Sequence, residues 1–344
     1  MSHTALICDK TLWVGGHPPG HPLRPERLRD TWEMLQGYHA LDAPNTRVVP
    51  PRPPSYEDLA TFHSREYIDV VRRLSRREAE LNPARFNFGP GDNPVFEGMF
   101  DTEGLKVGAA LVGVDLLLND EVEVAFSFAG GLHHAGRDHA AGFCVFGDGA
   151  IAIHRLLAAG LRVAYLDIDA HHGDGVQAAF YNNDRVLTIS LHESGRYLFP
   201  GTGFIHELGE AAGYGFSVNI PLFPYTDDEI YLWAFDQIVP PLLERFAPDM
   251  VVAQLGVDAH WRDPLTHLAL TTHGFEALFQ RIQTLSPRWL AVGGGGYDPS
   301  VVPRAWTLAW GVMSRQVFPN DLPDGIWRKS LEKTPDGTLV GQAL

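Results

Sequence analysis

Cysteine is almost absent: Cys8 and Cys144 are the two in 344 residues, too few for a disulfide framework and in keeping with a reducing compartment. In Gly142-Phe143-Cys144-Val145-Phe146 the thiol reads as core. Long apolar runs are missing as well. No stretch approaches the roughly 18 residues of a membrane span, and the first residues lack a basic-then-apolar signal pattern, so the cytoplasm is the expected compartment and no membrane partner is expected. Positive charge is scarce: 27 Lys+Arg against 42 Asp+Glu leave a formal net charge of −15. That balance gives a nucleic acid no bulk attraction and favours cationic ligands. Neither a repeat nor a linker divides the chain, and 45% hydrophobic composition supports a large core, so residues 1–344 are expected to form a single domain.

What is present is a regular alternation of strand and helix patterns. A short buried strand at 4–8 leads into a breaker-rich loop at 15–22, a helix at 25–37, and a connector or edge strand at 44–54 with five prolines. Ser55-Tyr56-Glu57-Asp58 has capping-box form and opens a helix, and a charged helix follows over 64–80. Residues 83–94 form a second Gly- and Pro-rich loop, and both loops are candidates for the rim of a site. Helices are then expected at 105–118, 149–159, 227–246 and 272–284, with strands at 122–128, 162–167, 185–191, 216–220, 250–255 and 289–292. The nearly continuous apolar strands imply an α/β fold with a mainly parallel central sheet and helices on both faces.

The stretch that organises the chain is Tyr165-Leu166-Asp167-Ile168-Asp169-Ala170-His171-His172-Gly173-Asp174-Gly175. In extended backbone Asp167, Asp169 and His171 share one side, so ligand-type groups converge. A helix cap needs one acceptor, whereas this stretch offers three aspartates and two histidines. Mixed carboxylate and imidazole donors suit zinc or iron better than calcium or magnesium. Three other strands also run into polar clusters: His133-His134 after 122–128, Gly256-Val257-Asp258 after 250–255, and Gly293 to Tyr297 after 289–292. Ligands in open α/β sheets bind outside the carboxyl ends of strands, so four ends are expected to face one crevice. Asp169, His171 and Asp258 make three metal ligands and leave a position for water and substrate. The histidine pair supplies a base, Asp167 and Asp174 fix the imidazoles, and Tyr297 can donate to an oxyanion. The four preceding glycines suggest that the tyrosine is mobile. This chemistry is attack of water on an amide or related carbonyl.

Gly130-Gly131-Leu132-His133-His134-Ala135, the stretch from Asp167 to Val176, Phe199-Pro200-Gly201-Thr202-Gly203, Gln254-Leu255-Gly256-Val257-Asp258 and Gly293 to Tyr297 stand in the order of a known family. Over residues 16–311 the chain resembles the histone-deacetylase-like metal-dependent deacetylases of the bacterial acetoin-utilisation type, with 312–344 as a C-terminal extension. The resemblance implies an arginase-like α/β fold and removal of acetyl or short acyl groups from acyl-lysine. It implies zinc on Asp169, His171 and Asp258, with ferrous iron as the cellular alternative. His134 becomes the main base, His133 its electrostatic or acid partner, and Tyr297 the carbonyl polariser. Gly142, Phe143 and Phe199 would wall an acyl-lysine channel, Leu265 would stand at its mouth, and Asp92 would accept hydrogen bonds from the substrate backbone. A structural potassium ion would lie near Asp167, Asp169, His171, Ser190 and Leu191. Pro264 stands where inositol-phosphate-binding members carry an arginine, so that regulation is not expected; Leu132 replaces a common tryptophan or proline.

Three other readings use the same residues. An acetylpolyamine or other small-acetylamine amidohydrolase would share the centre and exploit the acidic balance. An inactive binding scaffold belongs to another class and is disfavoured because every catalytic group is present. Arginase-like ureohydrolysis needs a two-metal cluster with more bridging aspartates. The oligomeric state stays open.

Overall fold

The computed structural model describes residues 3–78 and 82–323. In chain order it contains β1 (Thr4–Ile7), α1 (Glu26–Gly37), β2 (Thr46–Val49), α2 (Tyr56–Ala60), α3 (Arg65–Ser75), α4 (Met99–Leu118), β3 (Val124–Ser127) and α5 (Asp148–Ala158). There follow β4 (Val163–Asp167), α6 (Asp174–Phe180), β5 (Val186–Glu193), β6 (Ser217–Leu222), α7 (Asp228–Phe246), β7 (Met250–Gln254), α8 (Thr272–Leu285), β8 (Trp289–Val292) and α9 (Val302–Ser314). Among the described residues the strands form one sheet in the order β2-β1-β3-β8-β7-β4-β5-β6. Every neighbouring pair is parallel, so the expected α/β class holds.

Strand alternation divides the interior in two. Leu6, Phe126, Leu166 and Ala253 face a core shared with α1, α7, α8 and α9, while Ile7, Ala125, Tyr165 and Val252 face one shared with α3, α4 and α5. Successive side chains on a strand point to opposite faces, and each face is sealed by helices. Within this sheet β3, β8, β7 and β4 are consecutive neighbours, so the four polar strand ends expected to converge lie side by side.

The boundaries differ from the sequence reading where packing overrides local pattern. α4 begins at Met99 and runs through Gly104, and within it glycine serves close approach: a Cβ at Gly108 would lie 1.6 Å from the Arg52 carbonyl oxygen. α6 and α9 were not expected. The first is a helix of about two turns behind Gly173, and the second is buried nearly all round, which leaves no polar stripe to read. α3 ends at Ser75; the Glu80 end expected of that helix lies outside the described residues, as does the C-terminal extension beyond 323. The Ser55 capping box is present, and Cys8 and Cys144 are both free and buried. Among the described residues no helix is long and apolar enough to cross a membrane.

His63 is a buried histidine whose Nε2 accepts the Gly147 N–H at 3.0 Å, tying α2 to the start of α5. Burial pushes its pKa down from 6.5 to about 3. The folded value lies below the unfolded one, so its contribution to stability is complete above pH 6.5 and is lost as pH falls toward 3. Each pH unit in that window removes about 1.4 kcal/mol. Between pH 6 and 5 the wild-type protein should therefore lose about 1 kcal/mol more than His63→Gln, by urea unfolding at both pH values. Identical losses would show that His63 is not held neutral by the fold.

Candidate active site and metal centre

Beyond β4 the backbone is folded by its own carboxylates. Asp167 Oδ1 accepts the Asp169 N–H at 3.1 Å, and Asp169 Oδ1 accepts the His171 N–H at 3.0 Å, two consecutive Asx-type turns. Asp258, beyond β7, accepts the Ala170 N–H at 2.8 Å, and Asp169 Oδ2 accepts the Gly295 N–H at 2.6 Å. Asp169, His171 and Asp258 are thereby brought together, all buried, with ligand atoms within 4.8 Å of one another. His171 Nδ1 sits 2.8 Å from Asp258 Oδ2 and 3.3 Å from Asp169 Oδ1.

The donor set fits a first-row dication. Two carboxylates and one imidazole converge, and the carboxylates take hydrogen bonds from backbone N–H groups. Burial and the charge of Asp169 push Asp258 up to about 6. At His171 burial opposes charge, but hydrogen bonds to both carboxylates raise it to about 10. A cation among the three groups competes with that imidazole proton for the same oxygens.

Each histidine of the pair has its own carboxylate. His133 Nδ1 lies 2.8 Å from Asp167 Oδ2, which also accepts the Tyr165 hydroxyl at 2.8 Å. His134 Nδ1 lies 2.7 Å from Asp174 Oδ1. The rings are 4.1 Å apart, yet their surroundings push them in opposite directions. Burial opposes charge on His133, but Asp167 and Asp169 outweigh it and raise the pKa to about 9. Burial and the neighbouring His133 charge lower His134 to about 4, with Asp174 offsetting only part. A neutral imidazole beside a charged one is an arrangement able to take a proton at one ring and stabilise negative charge with the other.

Tyr297 leaves β8 through four buried glycines that the structure accounts for differently from the expected mobility. A Cβ at Gly295 would lie 2.0 Å from Asp258 Oδ2, and one at Gly293 2.2 Å from the Phe128 carbonyl oxygen. Glycine is thus required for close approach, and the stretch is pinned rather than loose. Arg27, buried, donates to the carbonyls of Gly294 at 2.7 Å and Gly296 at 3.3 Å. Asp263 accepts the Tyr297 N–H at 2.8 Å and the Leu265 N–H at 2.9 Å, joining the tyrosine to the next segment of the rim. Burial, with the charge of Asp258, raises the Tyr297 hydroxyl well above its usual range, so it remains protonated.

The expected channel residues gather around these groups. Phe199 meets His134 edge-on at 5.0 Å, and Phe143 meets Tyr297 edge-on at 5.8 Å. Gly142 has φ +49, and a Cβ there would lie 2.3 Å from the His134 ring. Asp92, exposed, shares a cavity of about 340 Å³ with Gly142 and Phe199, while Leu265 and Tyr297 share one of about 680 Å³ with His17 and His21. Ser190 is in register with Asp167 on β5, next to Leu191, and its hydroxyl lies 2.8 Å from His192 Nδ1. His172, part of the same polar crowd, turns away to Thr202 and Gln177.

Several supporting residues carry no readable signal in the sequence. Asp148 accepts the N–H groups of Gly131 and Leu132 and so sets the turn before the histidine pair. His21 bonds the Asp92 carbonyl at 3.1 Å, and Asn93 accepts the Phe143 N–H at 3.0 Å. Such partners are distant in the chain, and a lone Arg27, Asp148 or Asn93 looks like any capping or surface residue.

A parallel sheet with a dication-type triad, two carboxylate-bound histidines and a tyrosine at its strand ends defines a hydrolase of the deacetylase class. Residues 21–313 match the histone deacetylase domain, and the chain belongs to the histone deacetylase family. It is 42% identical over 302 residues to the acetoin utilization protein AcuC of Bacillus subtilis, covering 84% of this chain and 76% of that protein. The histone deacetylase RPD3 of Saccharomyces cerevisiae is 35% identical over 322 residues, covering 93% and 73%. An HDAC homolog from Aquifex aeolicus superposes with a TM-score of 0.90 at 32% identity, covering 100% of this chain and 96% of that one. An HDAC homolog complexed with SAHA gives 0.88 at 33%, covering 97% and 88%.

Proposed function

We propose that this deacetylase removes acetyl or short acyl groups from acyl-lysine by zinc-dependent hydrolysis. The observation that carries the reading is the triad Asp169, His171 and Asp258 lying beside two histidines, each bonded to its own carboxylate. Those three residues would hold zinc, or ferrous iron in the cell. Such an ion polarises a carbonyl and lowers the pKa of water, less strongly here than with three neutral ligands because two are carboxylates.

The protein groups divide the remaining work. Asp174 fixes the His134 tautomer with Nδ1–H donating, which leaves Nε2 free to take a proton from the attacking water. His133, kept charged by Asp167, stabilises developing negative charge and can return a proton to the departing lysine amine. Tyr297, protonated and held by Asp263, donates to the oxyanion from the other side. Gly142, Phe143 and Phe199 wall the alkyl chain, and Leu265 stands at the mouth. Asp92 would receive the substrate's backbone N–H groups, supported by its place in the cavity with Gly142 and Phe199. A potassium ion beside Asp167, Asp169, His171, Ser190 and Leu191 is a further part of the proposal, supported by the registry of Ser190 with Asp167.

The same centre suits a small acetylamine. Assaying one preparation against an acetyl-lysine peptide, acetylputrescine and arginine separates the readings. Peptide hydrolysis is expected, acetylputrescine alone would indicate an amidohydrolase, and inactivity on all three would leave a scaffold.

Tyr297→Phe should lower kcat by roughly 100-fold or more while leaving ground-state affinity nearly intact, because the hydroxyl is needed as the oxyanion forms. An enzyme within about twofold of wild type would make the tyrosine a packing residue. Asp92→Ala should cut kcat/KM on acetyl-lysine peptides by about 10-fold, with a smaller loss on a minimal acetylated amine that lacks a peptide backbone. Equal losses on both would indicate loop damage, and no loss on the peptide would remove Asp92 from the site.

A further inference from the structure

Tyr165 lies on β4 and shares a strand face with Val163 and Asp167, in the core covered by α3, α4 and α5. It is buried, and its ring lies close to the head of α5, where a Cβ at Gly149 would stand 3.7 Å from Tyr165 Cε2. Phenylalanine would fill that space as well, and a buried hydroxyl is costly unless it is bonded. The hydroxyl is bonded to one group: it donates to Asp167 Oδ2 at 2.8 Å. Packing therefore accounts for the ring and leaves the hydroxyl to be explained.

Asp167 is the carboxylate of one histidine of the pair. Its Oδ2 meets both the Tyr165 hydroxyl and His133 Nδ1, each at 2.8 Å, while Oδ1 accepts the Asp169 N–H at 3.1 Å. A Cβ at Gly173 would lie 2.5 Å from Oδ2, so the backbone closes over that oxygen. The two histidine–carboxylate pairs differ in this respect. The Asp174 side chain beside His134 is 30% exposed and open to water, whereas that of Asp167 is 0% exposed and is solvated by protein groups.

A carboxylate turns readily about its last side-chain bond unless both of its oxygens are engaged. With Oδ1 held by the metal-loop backbone and Oδ2 by Tyr165, the edge that His133 meets is set from the core. The consequence lies at the far side of the ring. His133 Nε2 stands 3.9 Å from Asp169 Oδ1, facing the metal ligands, so the group that fixes Nδ1 also aims Nε2 into the site.

We propose that Tyr165 is a positioning residue for expulsion of the leaving group: its hydroxyl fixes Asp167 against His133, and His133 thereby presents its Nε2 proton to the departing amine. This rests on the amide-hydrolysis reading of the site. In that step the C–N bond breaks with its electron pair going to nitrogen, and the proton on His133 Nε2 moves to that nitrogen, releasing a neutral amine and leaving Nε2 unprotonated. A leaving group that departs as a stable anion needs no such proton. Tyr165 should therefore matter for an alkyl amide and be nearly silent for an activated ester.

The test compares zinc-loaded wild type and Tyr165→Phe on an acetyl-lysine peptide and on para-nitrophenyl acetate, whose nitrophenolate leaves unprotonated. On the peptide, Tyr165→Phe should lower kcat by about 10-fold or more with KM within about twofold. On the ester, kcat/KM should stay within about twofold of wild type. In a His133→Ala background, adding Tyr165→Phe should change the peptide rate by less than about twofold, because the residue it acts through is gone. Equal losses on peptide and ester, an undiminished peptide rate, a full loss that persists in the His133→Ala background, or a Tyr165→Phe chain that does not fold would each overturn the positioning role and leave the hydrolase reading intact. A wild-type protein that hydrolyses neither substrate would overturn the hydrolase reading, and the positioning role with it.

Discussion

Two buried carboxylates, Asp169 and Asp258, are held against each other at the ends of adjacent strands, with one imidazole between them. Unit charges about 4 Å apart repel by roughly 4 kcal/mol at an effective dielectric of 20, more than a typical single hydrogen bond returns. The surrounding structure is arranged to sustain that crowding. Backbone N–H groups of Ala170, His171 and Gly295 donate to the pair, and Gly256 and Gly295 omit side chains that would fill the space the carboxylates occupy. A dication is the simplest partner that would turn this repulsion into attraction, and on the proposed reading the same ion would supply the chemistry for which the neighbouring histidines and tyrosine are placed.

Order around the site comes from long-range polar contacts. Arg27 comes from α1 to hold the glycines after β8, and Asp263 holds the tyrosine backbone and the Leu265 rim on one carboxylate. Asp148 at the head of α5 sets the turn before the histidines. Each links separate elements of the fold, so the side chains gathered at the strand ends are positioned by helices and strands more than by the loops they stand on.

That division explains what could be read from sequence. The α/β alternation, the parallel sheet and the four polar strand ends were legible, because nearly continuous apolar strands and strand-end clusters are local patterns. Sheet order makes β3, β8, β7 and β4 consecutive, and that adjacency is what brings His133, Tyr297, Asp258 and Asp169 together. The misreadings share a cause. Glycine after β8 looked like a hinge, whereas there it admits a neighbour's backbone or carboxylate. α9 carries no amphipathic stripe because both of its sides are inside. Arg27, Asp148, Asp263 and Asn93 could not have been singled out, since each gains its meaning from a partner the sequence does not place beside it.

The central claim is that one metal ion at Asp169, His171 and Asp258 makes the site competent. Its most direct test is a zinc titration of a chelator-treated, verified metal-free preparation, followed by hydrolysis of an acetyl-lysine peptide. Activity should be absent at the start, rise linearly, and saturate at one equivalent of zinc per chain, with no such recovery in Asp258→Ala. Full activity of the metal-free preparation, before any zinc is added, would contradict the account.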